Sequence, residues 1–182
     1  MSPIRTLGIL SDTHGEVNSE VLDCLRCCDL ILHAGDIGDA GVLELLERET
    51  AGSVLCVAGN NDVRGKWPAD QLHVLEALDE HVELELPGGT VVMEHGHRIW
   101  DTGNYHSRLR AKYPGARMIV YGHTHIRAVD TDSTPWVVNP GAAGRERTRQ
   151  GPSCLVVDTN SSDWSIQQFC FPGGSGRRTN AA

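Results

Sequence analysis

Five short stretches of the chain carry histidine, aspartate or asparagine, side chains that can bind divalent metal ions. They are Asp12-Thr13-His14, Gly35-Asp36, Gly59-Asn60-Asn61-Asp62, Glu94-His95-Gly96-His97 and Gly122-His123-Thr124-His125. Each stretch follows an apolar run. Imidazole, carboxylate and amide groups without a thiolate suit Mn²⁺, Fe²⁺, Zn²⁺, Co²⁺ or Ni²⁺. If the run before His123 is a strand with extended backbone, His123 and His125 leave its end on the same side.

The elements that position these stretches read as an α/β pattern in the first third of the chain. Apolar runs at 6–11, 29–34 and 53–58 predict strands. Helical spacing predicts a helix over 17–28, and Asp39 is a candidate N-cap for a second helix. Strands that are apolar throughout, without alternation, favour a largely parallel sheet covered on both faces.

The second half of the chain has a different period. Residues 81–86 alternate between apolar and charged, and Pro87-Gly88-Gly89 predicts a hairpin turn into the next strand. A basic helix over 104–113 and strands at 118–121, 126–130, 135–139, 153–158 and 164–171 follow, which predicts a mainly antiparallel sheet. The fold class expected is α/β, a four-layer αββα sandwich of two mixed β-sheets flanked by helices. We expect a single domain over 1–172 and a flexible tail over 173–182.

Composition narrows the functional classes. The chain has 182 residues, 40% of them hydrophobic, and a net charge of −8. An acidic chain is not expected to bind nucleic acid generally, and it repels an anionic substrate unless local charge reverses the field. The start of the chain lacks a long apolar segment, no run approaches the ~18 residues of a membrane span, and the six cysteines show no paired zinc motif. These features predict a cytoplasmic, reduced protein, with a homo-oligomer left open.

The position of the five stretches suggests one shared site. In open α/β sheets, ligands bind beyond the carboxyl ends of the strands, and all five stretches follow predicted strands. A lone aspartate there is usually a helix cap, and a lone histidine is usually an ordinary hydrogen-bonded residue. Five such stretches together favour a binuclear metal site, which holds its ions roughly 3.5–4 Å apart in enzymes of phosphoryl transfer.

The order of these motifs resembles that of the calcineurin-like metallophosphoesterases. The short chain and Asn139-Pro140-Gly141 resemble the small bacterial and archaeal phosphodiesterase branch, the YfcE-like group. The resemblance covers about residues 4–171 and implies the αββα sandwich and a ligand set. One metal ion would be held by Asp12, His14, Asp36 and His125. The other would be held by Asp36, Asn60, His95 and His123, with Asp36 as the bridge.

The charges of this ligand set agree with the implied activity. Two divalent ions bring about +4, and Asp12 and Asp36 reduce this to about +2, so the site attracts a phosphodiester although the chain is acidic. One zinc ion alone lowers the pKa of its bound water to ~7, and a hydroxide bridging two ions would attack phosphorus in line with the leaving oxygen. The expected function is a metal-dependent phosphodiesterase acting on a small phosphodiester. Mn²⁺ is the expected ion, with Ni²⁺, Zn²⁺, Fe²⁺ or Co²⁺ as alternatives.

Asn61 departs from many members of the superfamily, which carry a histidine at this position to help the leaving group. Asparagine donates a hydrogen bond but is not an acid, so we expect a preference for good leaving groups such as aryl esters. The expected catalytic set is Asp36, Asn60, Asn61 and His97, where His97 either contacts substrate or orients His95. Among weaker candidates, His33 is expected to support the ligands or to be structural, and Asp62 to orient a neighbour or cap a turn. Candidate phosphate contacts are Arg64, Arg98, Tyr105, His106 and the loop 141–145. His73 and His81 are expected at the surface.

Two other functions compete with the phosphodiesterase. The superfamily includes a retromer subunit with this fold and impaired metal chemistry, so a non-enzymatic scaffold is the first alternative. Missing ligands would favour it, and this sequence fills all seven positions. A phosphomonoesterase, such as a protein or dinucleotide-polyphosphate phosphatase, is the second. Those enzymes have an arginine in their second motif. The corresponding stretch here, Gly35-Asp36-Ile37-Gly38-Asp39-Ala40-Gly41, lacks it, which makes this alternative weaker.

Overall fold

The computed structural model describes residues 4–99, 102–144, 150–160 and 163–172. Ten strands and four α-helices are assigned in these ranges. The strands are β1 (Thr6–Leu10), β2 (Leu30–His33), β3 (Ser53–Cys56), β4 (His81–Leu86), β5 (Gly89–Glu94), β6 (Met118–Val120), β7 (Ala128–Asp130), β8 (Trp136–Asn139), β9 (Ser153–Asp158) and β10 (Ser165–Cys170). The helices are α1 (Ser19–Leu25), α2 (Ala40–Glu49), α3 (Leu72–Leu75) and α4 (Tyr105–Lys112), and Ala69–Gln71 and Thr102–Asn104 form short 3-10 turns. The predicted tail and Arg145 lie outside the described residues.

The strands form two five-stranded sheets. The first has the order β10-β9-β1-β2-β3, with β1, β2 and β3 parallel to one another. The second has the order β4-β5-β6-β8-β7, with β5, β6 and β8 parallel. Both sheets are therefore mixed, with parallel strands at the centre and antiparallel strands at one or both edges.

Side-chain alternation divides the hydrophobic residues into three packed layers. Leu7 and Ile9 of β1 point between the sheets and share a core with Met118 and Val120 of β6. The alternate side chains of each sheet point outward. On these outer faces the first sheet packs against α1, α2 and α3, and the second packs against α4. This arrangement is the four-layer αββα sandwich that the sequence predicts.

Local capping sets the helix starts. Asn18 accepts hydrogen bonds from the N–H groups of Glu20 and Val21, at 2.9 and 3.2 Å, so α1 begins at Ser19 rather than at residue 17. Asp39 caps α2 by accepting from the Val42 N–H, as predicted. Within the described ranges no helix has the length and apolar character to cross a membrane.

The prediction of a mainly antiparallel second half is wrong in two respects. β5, β6 and β8 run parallel to one another in the middle of their sheet, so no hairpin joins successive members of this set. β9 and β10 leave that sheet and extend the first one through β1. Apolar periodicity predicts that a segment is a strand, but the sheet it joins depends on contacts distant in sequence.

Candidate metal centre

The seven predicted ligands lie on five loops at the carboxyl ends of five strands. Loops 1, 2 and 3 (residues 11–15, 34–38 and 57–62) follow β1, β2 and β3 of the first sheet. Loops 4 and 5 (95–98 and 121–125) follow β5 and β6 of the second sheet. Contacts between the sheets close the site: the His95 ring bonds the Ala34 carbonyl, and the His123 N–H donates to Asp12.

The backbone of the ligands is unusual. Five non-glycine residues in the described ranges have a positive φ, and all five are predicted ligands: Asp12, His14, Asp36, His123 and His125, with φ between 49° and 67°. The extended geometry expected for His123 and His125 is therefore wrong, since β6 ends at Val120 and both residues are left-handed. Left-handed backbone lets consecutive residues of a tight loop direct their side chains into one site.

Hydrogen bonds between loops hold these conformations. The N–H groups of Asp12 and His14 donate to the carbonyls of Gly35 and Asp36, at 2.9 and 3.0 Å, and so continue the pairing of β1 with β2. Loop 5 approaches loop 1 closely, and a Cβ at Gly122 would lie 2.0 Å from Ser11 Oγ. The loops are thus ordered by the protein's own backbone contacts.

The first ligand group consists of Asp12, His14, Asp36 and His125, whose candidate ligand atoms all lie within 4.8 Å of one another. The Nε2 atoms of His14 and His125 are 3.4 Å apart, and His125 Nε2 lies 3.2 Å from Asp12 Oδ1. Asp12 Oδ2 accepts the His123 N–H, whereas Asp12 Oδ1 is buried without a hydrogen-bond partner. A buried carboxylate oxygen facing two imidazole nitrogens fits a divalent cation.

The second ligand group consists of Asp36, Asn60, His95 and His123. Asn60 Oδ1 lies 3.2 Å from His95 Nε2 and 2.9 Å from His123 Nδ1, and His95 Nε2 lies 3.4 Å from Asp36 Oδ2. His95 Nδ1 bonds the Ala34 carbonyl at 2.7 Å, and since a carbonyl only accepts, Nδ1 carries the proton. That leaves Nε2 directed at Asp36 and Asn60 and able to bind a cation.

Asp36 belongs to both groups and remains ionised. Burial by itself raises the pKa of its carboxyl, but the hydrogen bond and charge of His95, with two hydrogen bonds from Asn61, hold that pKa well below its ordinary value. Burial disfavours charge on His95, and Asp36 outweighs this effect, so the pKa of His95 is raised. The negative charge of Asp36 thus favours positive charge in this group of ligands.

The Asn61 side chain is directed at Asp36. Its main-chain N–H donates to Asp36 Oδ1 at 2.7 Å, and its side-chain N–H donates to Asp36 Oδ2 at 2.5 Å. Its amide oxygen accepts from the Lys66 ammonium. Lys66 lies outside the sequence motifs, so its contact with Asn61 could be identified only from the structure.

Asp62 links loop 2 to loop 3 below the ligands. It is buried and accepts from the N–H groups of Ile37, Gly38 and Gly59 and from the Trp67 indole, at 2.8 to 3.1 Å. It therefore orients neighbours, one of the two roles considered from the sequence. Asn139, which the sequence offered only as a family marker, donates to the Gly122 carbonyl and to Thr124 Oγ1 and so supports loop 5.

His33 lies behind the ligands and is fully buried. The Thr13 hydroxyl donates to the Ile37 carbonyl, so it accepts from His33 Nε2, and His33 Nδ1 accepts the Gly35 N–H. Burial lowers the pKa of His33 to about 4, which keeps this ring neutral. Its place fits the structural role expected from the sequence.

His97 is close to the centre, and most other weaker candidates are occupied elsewhere. The His97 ring lies 5.5 Å from that of His95, and its Nδ1 is buried without a partner. Arg64 pairs with Glu76, Arg98 pairs with Glu80, and Tyr105 donates to the Gly96 carbonyl. His106 lies between Asp130 and the Tyr121 hydroxyl. His73 and His81 are exposed, as expected.

The chain is similar to several known proteins. Residues 6–162 match the sequence profile described as the calcineurin-like phosphoesterase superfamily domain. A probable metallophosphoesterase of Methanothermobacter thermautotrophicus is 30% identical over 159 residues, which cover 83% of this chain and 84% of that protein. A phosphodiesterase of Methanocaldococcus jannaschii is 25% identical over 169 residues, or 87% of this chain and 95% of that protein. The crystal structure of Vps29 complexed with zinc from Entamoeba histolytica superimposes with a TM-score of 0.74 at 18% identity, covering 93% of this chain and 94% of that one.

Proposed function

Because this chain belongs to the calcineurin-like phosphoesterase superfamily, we propose that it is a phosphodiesterase that uses two divalent metal ions. One observation carries the proposal: Asp36 is shared by two groups of ligand atoms, one of them also containing Asp12, His14 and His125, the other Asn60, His95 and His123. Manganese is the ion we propose, and a small phosphodiester is the proposed substrate of a cytoplasmic enzyme.

Bound ions would supply positive charge for the phosphate oxygens and acidify a water nucleophile. The chain's own residues then have three tasks. Asp36 keeps its negative charge at neutral pH, and Asp12 accepts the His123 N–H and so positions loop 5. Asn61 holds both carboxylate oxygens of Asp36 in place, and Asp62 fixes loops 2 and 3 relative to each other. His97, whose ring lies 5.5 Å from that of His95, is the side chain we propose for contact with substrate.

The charge of the site explains why one proposed ligand, Asn60, is a neutral amide. A third carboxylate in the ligand set would lower the local charge from about +2 to about +1 and weaken the attraction of an anionic substrate to an acidic protein. An amide oxygen provides a ligand atom without that loss. The charge of the ligand set therefore supports an anionic phosphoester as substrate, and the assay below separates a diester from a monoester.

A metal-reconstitution assay tests this function. Metal-stripped protein is assayed on bis-p-nitrophenyl phosphate and p-nitrophenyl phosphate after addition of Mn²⁺, Ni²⁺, Zn²⁺ or Mg²⁺. We expect diester cleavage with Mn²⁺, and loss of at least about 100-fold in Asp36→Ala and His123→Ala. His73→Ala, at an exposed histidine remote from the ligands, is the matched control and should retain activity.

The same assay separates the alternatives. Cleavage of the monoester alone would establish a phosphomonoesterase. A folded, metal-binding protein with no activity on either ester under any metal would refute hydrolysis and favour the scaffold.

A further inference from the structure

We propose that the phosphoester bound at the metal centre carries an aromatic group, which lies in a cleft beside loop 5. This inference rests on the proposed function, since it assumes that phosphate binds at the metal ions. The cleft, here called the α4 cleft, has a volume of about 490 Å³, and its walls include Asn104, Tyr105, Ser107, Tyr121, Thr124 and Ile126. Sites for small organic groups have volumes of this order.

The α4 cleft is continuous with the ligand loop. Thr124 lines it, and Thr124 lies between the two predicted ligands His123 and His125. The Thr124 hydroxyl accepts from Asn139 and from the Ile126 N–H, at 3.1 and 3.3 Å, so this wall is held in place. The cleft therefore borders the loop that carries His123 and His125, and it is where we place the ester substituent of a phosphate at the metal ions.

The chemistry of the walls selects an aromatic ring. Tyr105 and Tyr121 line the cleft with ring centroids 4.8 Å apart, and Ile126 adds an apolar side chain that is 43% exposed. Both nitrogens of His106 are engaged, by Asp130 and by Tyr121, and Asp130 also pairs with Arg110. A lining that combines aromatic and apolar side chains with a few polar ones suits a planar ring with polar edge atoms.

A second cavity, next to His95, has the opposite character. It measures about 320 Å³ and is lined by His95, His97, Arg98 and Lys112. Its charged groups are paired, Arg98 with Glu80 and Lys112 with Glu94. An apolar ring placed there would separate these pairs from water without replacing their contacts, so the aromatic group belongs in the α4 cleft.

Two exposed hydrophobic residues, one inside the α4 cleft and one outside it, can serve as a variant and its matched control. Among the described residues, the exposed large hydrophobic side chains are Val63 and Ile126, each 43% exposed. Val63 directly follows loop 3 and Ile126 directly follows loop 5, so each is next in sequence to a loop of predicted ligands, but of the two only Ile126 lines the α4 cleft. Neither residue is a predicted ligand.

Calorimetric titration of the Mn²⁺-loaded protein with methyl phosphate and phenyl phosphate measures the preference without any turnover. We expect phenyl phosphate to bind about tenfold more tightly than methyl phosphate. Ile126→Ser should reduce this ratio to about threefold or less, whereas Val63→Ser should leave it unchanged. Methyl phosphate should bind all three proteins equally, which also shows that they are folded.

Three outcomes would overturn the inference: equal affinity for the two esters, an equal loss in Val63→Ser, or phenyl phosphate binding that persists after metal removal. A protein that shows the aryl preference but cleaves no diester would leave the aromatic cleft standing and refute the hydrolase. Failure of the two proposals is therefore distinguishable.

Discussion

Among single residues, Asp62 binds no metal ion in the proposed centre, yet it contacts both loops that provide Asp36 and Asn60. Its two oxygens accept four N–H groups from loops 2 and 3 and Trp67. Asp62→Asn replaces one acceptor with a donor that faces other donors. We expect Mn²⁺ affinity to fall 10- to 100-fold, as for other residues that orient ligands. Calorimetric metal titration measures this, with exposed Asp23→Asn as control; unchanged affinity in Asp62→Asn would refute the role.

The contacts of Asn61 sharpen the expectation about leaving groups. Its amide N–H is used by Asp36 and its oxygen by Lys66, so this position has no proton to give to a departing alkoxide. For a series of aryl phosphodiesters, we expect the rate to fall steeply as leaving-group pKa rises. Asn61→His introduces an acid and should flatten the dependence. A flat dependence in the wild type would contradict this prediction.

The buried histidine His33 predicts a pH-dependent stability. Its pKa is about 4 in the folded protein and ~6.5 when unfolded, so the unfolded chain takes up the proton first as pH falls. The stabilisation is complete above pH ~6.5 and is lost between ~6.5 and ~4. From pH 7.5 to 5, metal-free wild type should lose about 2 kcal/mol more than His33→Gln in urea unfolding. His73→Gln, at an exposed site, should follow the wild type; equal losses in all three proteins would refute the prediction.

Between elements, the close approach of loops 1 and 5 determines whether the two ligand groups can form together. A Cβ added at Gly122 would lie 2.0 Å from Ser11 Oγ and 2.9 Å from the Ala34 carbonyl oxygen. Gly122→Ala should therefore displace His123 and His125 and reduce Mn²⁺ affinity at least about tenfold. At Gly115 a Cβ would meet no atom within 4 Å, so Gly115→Ala is the matched control. Calorimetric titration with Mn²⁺ measures the affinity of both variants. Equal Mn²⁺ affinities of Gly122→Ala and Gly115→Ala would show that the contact between loops 1 and 5 does not position the ligands.

The sequence predicted the elements better than their connections. Every strand that precedes a predicted ligand was identified, because buried runs such as Met118–Val120 end at glycine-containing loops. The edge of the first sheet was missed, because β9 pairs with β1 across nearly the whole chain. The left-handed backbone of His123 was also missed, since it depends on contacts with loop 1 that a strand pattern does not contain. Long-range hydrogen bonds decided all of these differences.

For the whole molecule, the metal centre lies between the two sheets and should stabilise the fold when occupied. A ligand at 100 times its dissociation constant adds about 2.7 kcal/mol if the unfolded chain does not bind it. For a domain of this size that corresponds to a rise in Tm of about 5–10 °C. Calorimetric scans with Mn²⁺ and with chelator measure the shift, and Asp36→Asn should abolish it while Asp23→Asn retains it. The absence of any shift in the wild type would argue against the centre.

The five left-handed ligands have a consequence for the stability of this chain. Glycine adopts that backbone freely, whereas another residue costs roughly 1–2 kcal/mol there, less for aspartate. The total approaches the net stability of a typical domain, ~5–15 kcal/mol. Glycine at these positions would relieve that cost but would remove the side chains. This chain has glycine at none of the five positions, so its loops place these side chains at a cost in backbone stability, as is common at functional sites.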